Sequence, residues 1–423
     1  MARDTFQTSP PPVQPRPTRG RIQTFSSLRN RDYRFLWTGN LFNNGANWLQ
    51  QLTVGWLVWD LSASPFLVGA VGGFRAVPFL VIGPIAGVLA DRLDRRKLVL
   101  VSQTMLASAA LVFAFVVWSG RVEVWHAFLY IAISGVAHSI LQPVRSALVA
   151  NTVPREDLAN AFALQAMTIT SSRLVWPAIG GYLVGMFGFT VNFFVESFLY
   201  VTLAVMIIPM RTPYREDTSR RRHASPLSDL MDGVKYVARD KPILQLIVMS
   251  LIPNFLLQPC IYLLPVFVGA VLGRGPEILG TLLSINGGFG FAATVVIATF
   301  GYVLGKGKTS LLALVLASIA GIMLGQSHWL SLTIVAVSLM GYGMSSFRTA
   351  NMTLVQLLAP DDLRGRIQSI YHLDHGLTPL ASFIIGAFAE FYSPTLAVTT
   401  VGVFALALSI YFLLAFSRIR RLD

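Results

Sequence analysis

The chain has 423 residues, 54% apolar and only 13% charged, with a mean hydropathy of +0.61 and a net charge of +13. That balance suits lipid as the solvent and excludes an ordinary soluble domain. No nucleophile–base–orienter set or nucleotide loop is recognisable, which argues against an enzyme, and no cofactor is expected. Cys260 is the only cysteine and lies in an apolar stretch, so neither an intrachain disulfide nor a cysteine-rich metal site can form.

Residues 1–24, with Pro10, Pro11, Pro12, Pro15 and Pro17 among Arg16, Arg19 and Arg21, read as a disordered basic tail without the apolar core of a signal peptide. Beyond it the apolar runs predict helices near 35–59, 65–90, 97–119, 124–150, 158–187, 189–210, 242–271, 276–304, 309–326, 329–358, 366–391 and 394–416. A hydrocarbon core of about 30 Å takes roughly 20 helical residues. Continuous runs of that length favour helices over barrel strands, which alternate over about ten residues. The expected fold class is therefore an all-α membrane protein with twelve transmembrane helices and both termini cytoplasmic.

Orientation rests on Lys and Arg, which accumulate in cytoplasmic loops. Of 33 such residues, Arg121 and Arg274 alone fall in loops of the opposite side, while Arg75, Arg145, Arg173 and Arg348 fall within spans. The positive charge is thus a topology signal directed at acidic lipid, with no nucleic-acid partner expected. The longest internal polar segment, 211–241, separates a bundle at 25–210 from one at 242–416, and 417–423 is a short basic tail. Within the linker Leu227, Leu230, Met231, Val234 and Val237 recur at helical spacing, as in an amphipathic surface helix.

The two bundles repeat each other. Ser64-Pro65-Phe66-Leu67-Val68-Gly69 recurs as Gly275-Pro276-Glu277-Ile278-Leu279-Gly280, and the same displacement carries Arg95 and Lys97 onto Lys306 and Lys308. Pro154-Arg155-Glu156-Asp157-Leu158 recurs as Pro360-Asp361-Asp362-Leu363. Two six-helix pseudo-repeats are expected to rock about a central site.

Between the second and third predicted helices, Gly87-Val-Leu-Ala-Asp91-Arg92-Leu-Asp-Arg95-Arg96-Lys97 resembles the signature loop of the major facilitator superfamily. Leu28-Arg29-Asn30-Arg31-Asp32-Tyr33-Arg34, Arg173 with Pro177-Ala178-Ile179-Gly180-Gly181, and Leu363-Arg364-Gly365-Arg366 narrow the resemblance to the branch holding the enterobactin exporter and macrolide-efflux proteins. The resemblance implies export of an amphiphilic, drug- or siderophore-like small molecule in exchange for protons, by a monomer in a bacterial-type inner membrane. It also implies that Gly87, Asp91, Arg92, Arg95, Arg96 and Lys97 form a conformational latch. Lipid or lysolipid flipping, or a sensor or scaffold on the same fold, are the alternatives. In the second copy of the loop Tyr302 stands at the Asp91 position, so that copy lacks the acid.

Ionisable groups inside a span cost about 2.5–3.5 kcal/mol each unless they face protein or water, so they mark the pathway. Asp374 is the first proton-coupling candidate and Glu196 the second; permanent pairing of either with Arg75, Arg173 or Arg348 is the competing reading. His372 and His375 share a helix face that Asp374 does not, which favours a proton relay or polar lining over a metal triad. Asn40, Asn43, Asn44, Asn47 and Gln51 form a polar stripe on the first helix, expected to line the solute cavity, with interhelical packing as the alternative. Pro177, Gly180 and Gly181 resemble the core of the antiporter motif, where small residues allow close helix approach; Trp176 stands where that motif has Gly.

Overall fold

The computed structural model describes residues 25–75, 77–78, 81–83, 93–211, 234–360, 363–371 and 378–422. Among them helices dominate and no strand occurs: α1 (Arg31–Ser62), α2 (Pro65–Phe74), α3 (Arg95–Trp118), α4 (Val124–Thr152), α5 (Leu158–Ile207), α6 (Lys241–Val271), α7 (Pro276–Phe300), α8 (Lys306–Gly325), α9 (Leu330–Leu358), α10 (Arg364–Tyr371), α11 (Thr378–Phe391), α12 (Pro394–Ala415) and α13 (Ser417–Arg420). Among the described residues eight helical stretches are long and apolar enough to cross a membrane, and α2 and α11 are shorter apolar helices.

Local chemistry sets the ends. The Ser64 side chain accepts from the Leu67 amide at 3.2 Å and Pro65 opens α2, where its missing N–H would have had no helical partner. Asp94 caps α3 by accepting from the Arg96 and Lys97 amides at 2.8 and 3.2 Å. Asp240 caps α6 through the Ile243 amide at 3.0 Å. Ala63 turns left-handed with φ 49° at the end of α1.

α5 spans 50 residues, too many for one crossing at 1.5 Å per residue. Gly188, with φ 81° and ψ 175°, breaks it where the sequence places the boundary between two helices. α1 shows that the chain reverses there. Tyr33 bonds the Ala161 carbonyl and Trp37 the Leu164 carbonyl, while Gly45 packs on Trp176, so α1 runs parallel to 158–187. Gly39 packs on Leu203, Gln50 meets Glu196 and Asn192 meets Thr53, so α1 runs antiparallel to 189–207.

The expected smooth helix at 242–271 is instead interrupted. Pro253, Pro259 and Pro265 each remove a backbone donor, and π turns at Ile252–Leu257 and Phe267–Val271 accommodate the mismatch. Of the linker, 234–239 is helical and Val237 is buried; Leu227, Leu230 and Met231 lie outside the described residues. Two apolar cores result, one drawn mainly from Tyr33–Met210 and the other mainly from Val237–Ile419.

The two cores meet through glycines. A Cβ on Gly69 of α2 would lie 2.5 Å from the Ser382 carbonyl oxygen and 3.0 Å from the Gly386 Cα of α11. A Cβ on Gly181 of α5 would lie 2.4 Å from the Pro276 oxygen and 3.0 Å from the Gly280 Cα of α7. Backbone therefore touches backbone in both pairs, and repeated residues make equivalent contacts. Glu390 of α11 adds a carboxylate at the N-terminus of α2, accepting from Ser64 Oγ at 2.8 Å and the Phe66 amide at 3.2 Å, where the helix dipole favours an anion. These contacts all lie at the end of the helices that carries Ser64.

Toward the opposite end, which carries Asp94, the same faces separate. Below Pro177 and Gly181 the face of α5 continues through Ala166, Ala163 and Phe162, all exposed. On α7 the face holding Gly280 and Ser284 continues through Thr294 and Ala298, also exposed. Among the described residues the contacts between the halves thus gather toward the Ser64 end, and the faces of α5 and α7 are exposed toward the Asp94 end.

Candidate functional site

Between the halves Gln51, Arg75, Tyr262 and Pro265 help line a cavity of about 40 Å³. It has room for a few waters, not for a drug-sized solute. Arg75 bonds Asn47, and its charge acts on Glu196, His138, Tyr200 and Tyr262. Arg75 thus stands between the cavity and a polar network inside the first core.

That network centres on Glu196, fully buried in the second arm of α5. Its Oε1 accepts from the Tyr130 hydroxyl and, at 3.1 Å, from Gln50 Nε2. Gln50 also reaches Tyr130 Oη at 2.8 Å and Ser134 Oγ at 3.1 Å. Tyr200, one turn along α5, interacts with the Glu196 carboxyl; Gln50 Oε1 and His138 Nε2 are buried without a hydrogen-bond partner among the described residues, while His138 Nδ1 lies 2.9 Å from the Ser134 carbonyl. Glu196 is thus an ionisable side chain held among polar groups inside the first half, within the field of Arg75.

The polar stripe of α1 divides. Asn40 and Asn43 are buried and bond Gln165 at 3.1 Å and Gln103 at 2.9 Å, tying α1 to α5 and α3. The expectation that these two line the cavity is corrected to interhelical packing, because α1 is buried on most sides. Asn44 bonds buried Arg145 at 3.2 Å, whose other guanidinium nitrogen reaches Gln142 at 3.3 Å. Only Asn47 and Gln51 reach the cavity side, through Arg75 and as lining. Gln50, one position from Gln51, joins the network although the sequence alone did not single it out; Tyr200 lies one turn after Glu196 on the same helix, whereas Tyr130 comes from α4 and carried no short-range signal.

Arg173 bonds Asn286 across the two halves and sits 5.6 Å from the centre of the Trp48 ring. The displacement that carries Ser64-Pro65 onto Gly275-Pro276 carries Arg75 onto Asn286, so an Arg-bonded Asn stands in the second repeat where the first has an Asn-bonded Arg. Pro177 leaves the α5 backbone free to approach α7, where the Ala178 amide bonds Ser284 Oγ at 2.8 Å. Gly180 packs on Leu49 of α1 and Gly181 on α7. Trp176 fits because Gly45 opposes it; a Cβ there would sit 2.3 Å from the indole.

Gly87, Asp91 and Arg92 of the expected latch, and Asp374, His372 and His375, lie outside the described residues. Arg95 bonds Asn151 at 2.9 Å and Arg96 bonds the Ile208 carbonyl, both inside the first half, while Lys97 is exposed. In the repeat copy, Tyr302 bonds Thr353 Oγ1 at 3.0 Å and its ring faces the Lys306 ammonium at 5.6 Å. The aromatic face there attracts the lysine charge.

A polytopic helical bundle with two repeated halves, glycine seams between them and ionisable groups in its interior defines a membrane transporter. The chain belongs to the transmembrane secretion effector family of the major facilitator superfamily, whose profile matches residues 22–423. It is similar to the staphyloferrin A transporter of Staphylococcus aureus, at 23% identity over 86% of this chain and 91% of that protein. It is also similar to macrolide efflux protein A of Streptococcus pyogenes, at 20% identity over 54% of this chain and 57% of that protein. Among solved structures it shares its fold with a POT family transporter in complex with 5-aminolevulinic acid (TM-score 0.73, 12% identity, 92% of this chain and 97% of that chain). A bacterial homologue of the lysosomal transporter Spinster also matches (TM-score 0.71, 12% identity, 92% of this chain and 96% of that chain). The protein is a multi-pass transporter of the bacterial plasma membrane.

Proposed function

We propose that this protein exports an amphiphilic small molecule by alternating access, with an inward-moving proton as the driving ion. The observation that carries this reading is the asymmetry between the two ends: glycine backbones meet at the Ser64 end while the same helix faces stand exposed at the Asp94 end. With the Asp94 end cytoplasmic, as the positive residues indicate, this is the inward-open state. Twelve crossings follow if α1, α2, α11 and both arms of α5 each span the membrane, giving bundles at 25–210 and 242–416 joined by the 211–241 linker. The names of the staphyloferrin A and macrolide relatives support a siderophore- or drug-like solute.

Glu196 and Asp374 are the proposed proton carriers, with His372 and His375 beside the latter. Import of one charge down 100 mV supplies about 2.3 kcal/mol, enough for a roughly 50-fold solute gradient. Gly87, Asp91, Arg92, Arg95, Arg96 and Lys97 are proposed to latch the halves at the cytoplasmic side once the protein turns outward. For that, Arg95 and Arg96 must trade their present bonds for partners on the second half. The transporter works as a monomer, its partners being solute, protons and lipid.

The test is pH-driven efflux in proteoliposomes. Glu196→Gln and Asp374→Asn, assayed separately, are expected to leave protein levels intact, and at least one is expected to abolish coupled transport. Coupled transport unchanged in both would remove these carboxyls from the mechanism.

A further inference from the structure

Arg75 lines the small cavity between the halves, Arg173 bonds Asn286 across them, and Asn286 packs on Gly341 and bonds the Val337 carbonyl of α9, the helix that carries Arg348. Tyr262 of α6 lies in the electrostatic range of both Arg75 and Arg173, and Arg173 lies in that of Arg348. Arg348 is exposed although it sits in the interior of α9, two turns from the Gly341 that packs on Asn286. Arg173 belongs to the first half and Arg348 to the second.

An arginine has five N–H donors in a planar fork that matches a carboxylate or other oxyanion. Here few of them are used. The guanidinium bonds of Arg75 and Arg173 among the described residues go to neutral amides, Asn47 and Asn286. Neighbouring cations at membrane depth repel one another and are expensive to maintain without an anion. The Trp48 ring beside Arg173 and the Tyr262 side chain in the small cavity add flat aromatic surface.

We infer that the solute is an organic anion with at least two acidic groups and a planar or apolar body, held between Arg173 and Arg348 with Arg75 as a third contact. This rests on the exporter reading and narrows it: cationic amphiphiles are disfavoured by like-charge repulsion, whatever their apolar surface. Because Arg173 and Arg348 come from different halves, one dianion bridges them and neutralises the repulsion that holds the two walls apart. Binding then favours closing of the open end, which is the step that export requires next.

A matched pair of dyes tests the charge rule. 5-Carboxyfluorescein and rhodamine 6G share the xanthene ring and differ in sign, and their binding to the purified full-length protein in neutral detergent is read by fluorescence anisotropy. Carboxyfluorescein is expected to bind more tightly than rhodamine 6G. Arg348→Gln is expected to weaken it at least tenfold, and Arg348→Lys by less, since the charge stays and the fork goes. Arg348 is exposed, so its replacement leaves the folded state intact, and the Arg173→Gln variant adds an independent loss of similar size.

Tighter binding of rhodamine 6G, no binding of carboxyfluorescein, or carboxyfluorescein binding within twofold of wild type in Arg348→Gln would overturn the inference. Flux in proteoliposomes separates it from the reading beneath. Carboxyfluorescein bound but never transported sinks the exporter and keeps the anion site; rhodamine 6G transported in its place sinks the anion site and keeps the exporter.

Discussion

Gly181→Ala probes the seam that closes the Ser64 end. The added Cβ would lie 2.4 Å from the Pro276 carbonyl oxygen and 3.0 Å from the Gly280 Cα. Ordinary contact needs about 3.4 Å or more between such atoms, so α5 and α7 must part by roughly 1 Å. Both neighbours are backbone, and no flexible side chain is there to yield. Overpacking of this kind costs about 1–3 kcal/mol. The penalty applies only while the seam is shut, so it shifts the population toward the opposite state roughly 5- to 150-fold. Arg121 and Arg274 are exposed loop residues at this end, and Cys260 is the only native cysteine. Spin labels at Arg121→Cys and Arg274→Cys in a Cys260→Ser background report the gap by pulsed electron resonance. The Gly181→Ala variant is expected to gain a longer-distance population, and Gly280→Ala to do the same. Because both substitutions act on one contact, the double variant should fall short of the sum. An unchanged distance distribution in either single variant, with wild-type transport, would refute the seam as a moving gate.

Tyr130→Phe removes the hydroxyl donor to buried Glu196 and should lower stability by about 1–3 kcal/mol, read as a fall in melting temperature, while Glu196→Gln, which keeps the shape, should melt close to wild type. Gly45→Ala drives a methyl into Trp176 and should destabilise by about 1–3 kcal/mol; adding Trp176→Gly should recover most of that loss, a coupling that a double-mutant thermal-unfolding cycle measures directly. Glu390→Ala strips the α2 N-terminus of its carboxylate and should loosen the Ser64 end by about 0.5–2 kcal/mol, visible as a smaller shift of the same spin-label distances.

Most of the helical architecture was legible in the sequence because lipid imposes one rule on every span: an apolar run of fixed length with its backbone bonds internal. The repeat at Ser64-Pro65 and Gly275-Pro276 was legible for a related reason, since each pair opens a helix whose glycine must touch the other half. Three features were not. The π turns of α6 depend on how three prolines are accommodated by neighbours, which no single-chain periodicity reveals. Asn40 and Asn43 share the spacing of Asn47 and Gln51, yet α1 is enclosed, so spacing alone could not say which amides face solute and which face Gln165 and Gln103. Glu196 was visible as a buried acid, but its partners Tyr130 and Gln50 come from helices far away in sequence.

The central claim is opposed movement of solute and proton through Glu196- or Asp374-dependent steps. Purified protein in liposomes loaded with a pH-sensitive dye, given carboxyfluorescein and a transmembrane pH gradient, reports both fluxes at once. The account predicts that carboxyfluorescein leaves the compartment into which protons flow, and that Glu196→Gln with Asp374→Asn uncouples the two. Solute movement in the same direction as the proton, or at the wild-type rate without any gradient-driven proton flux, would contradict it.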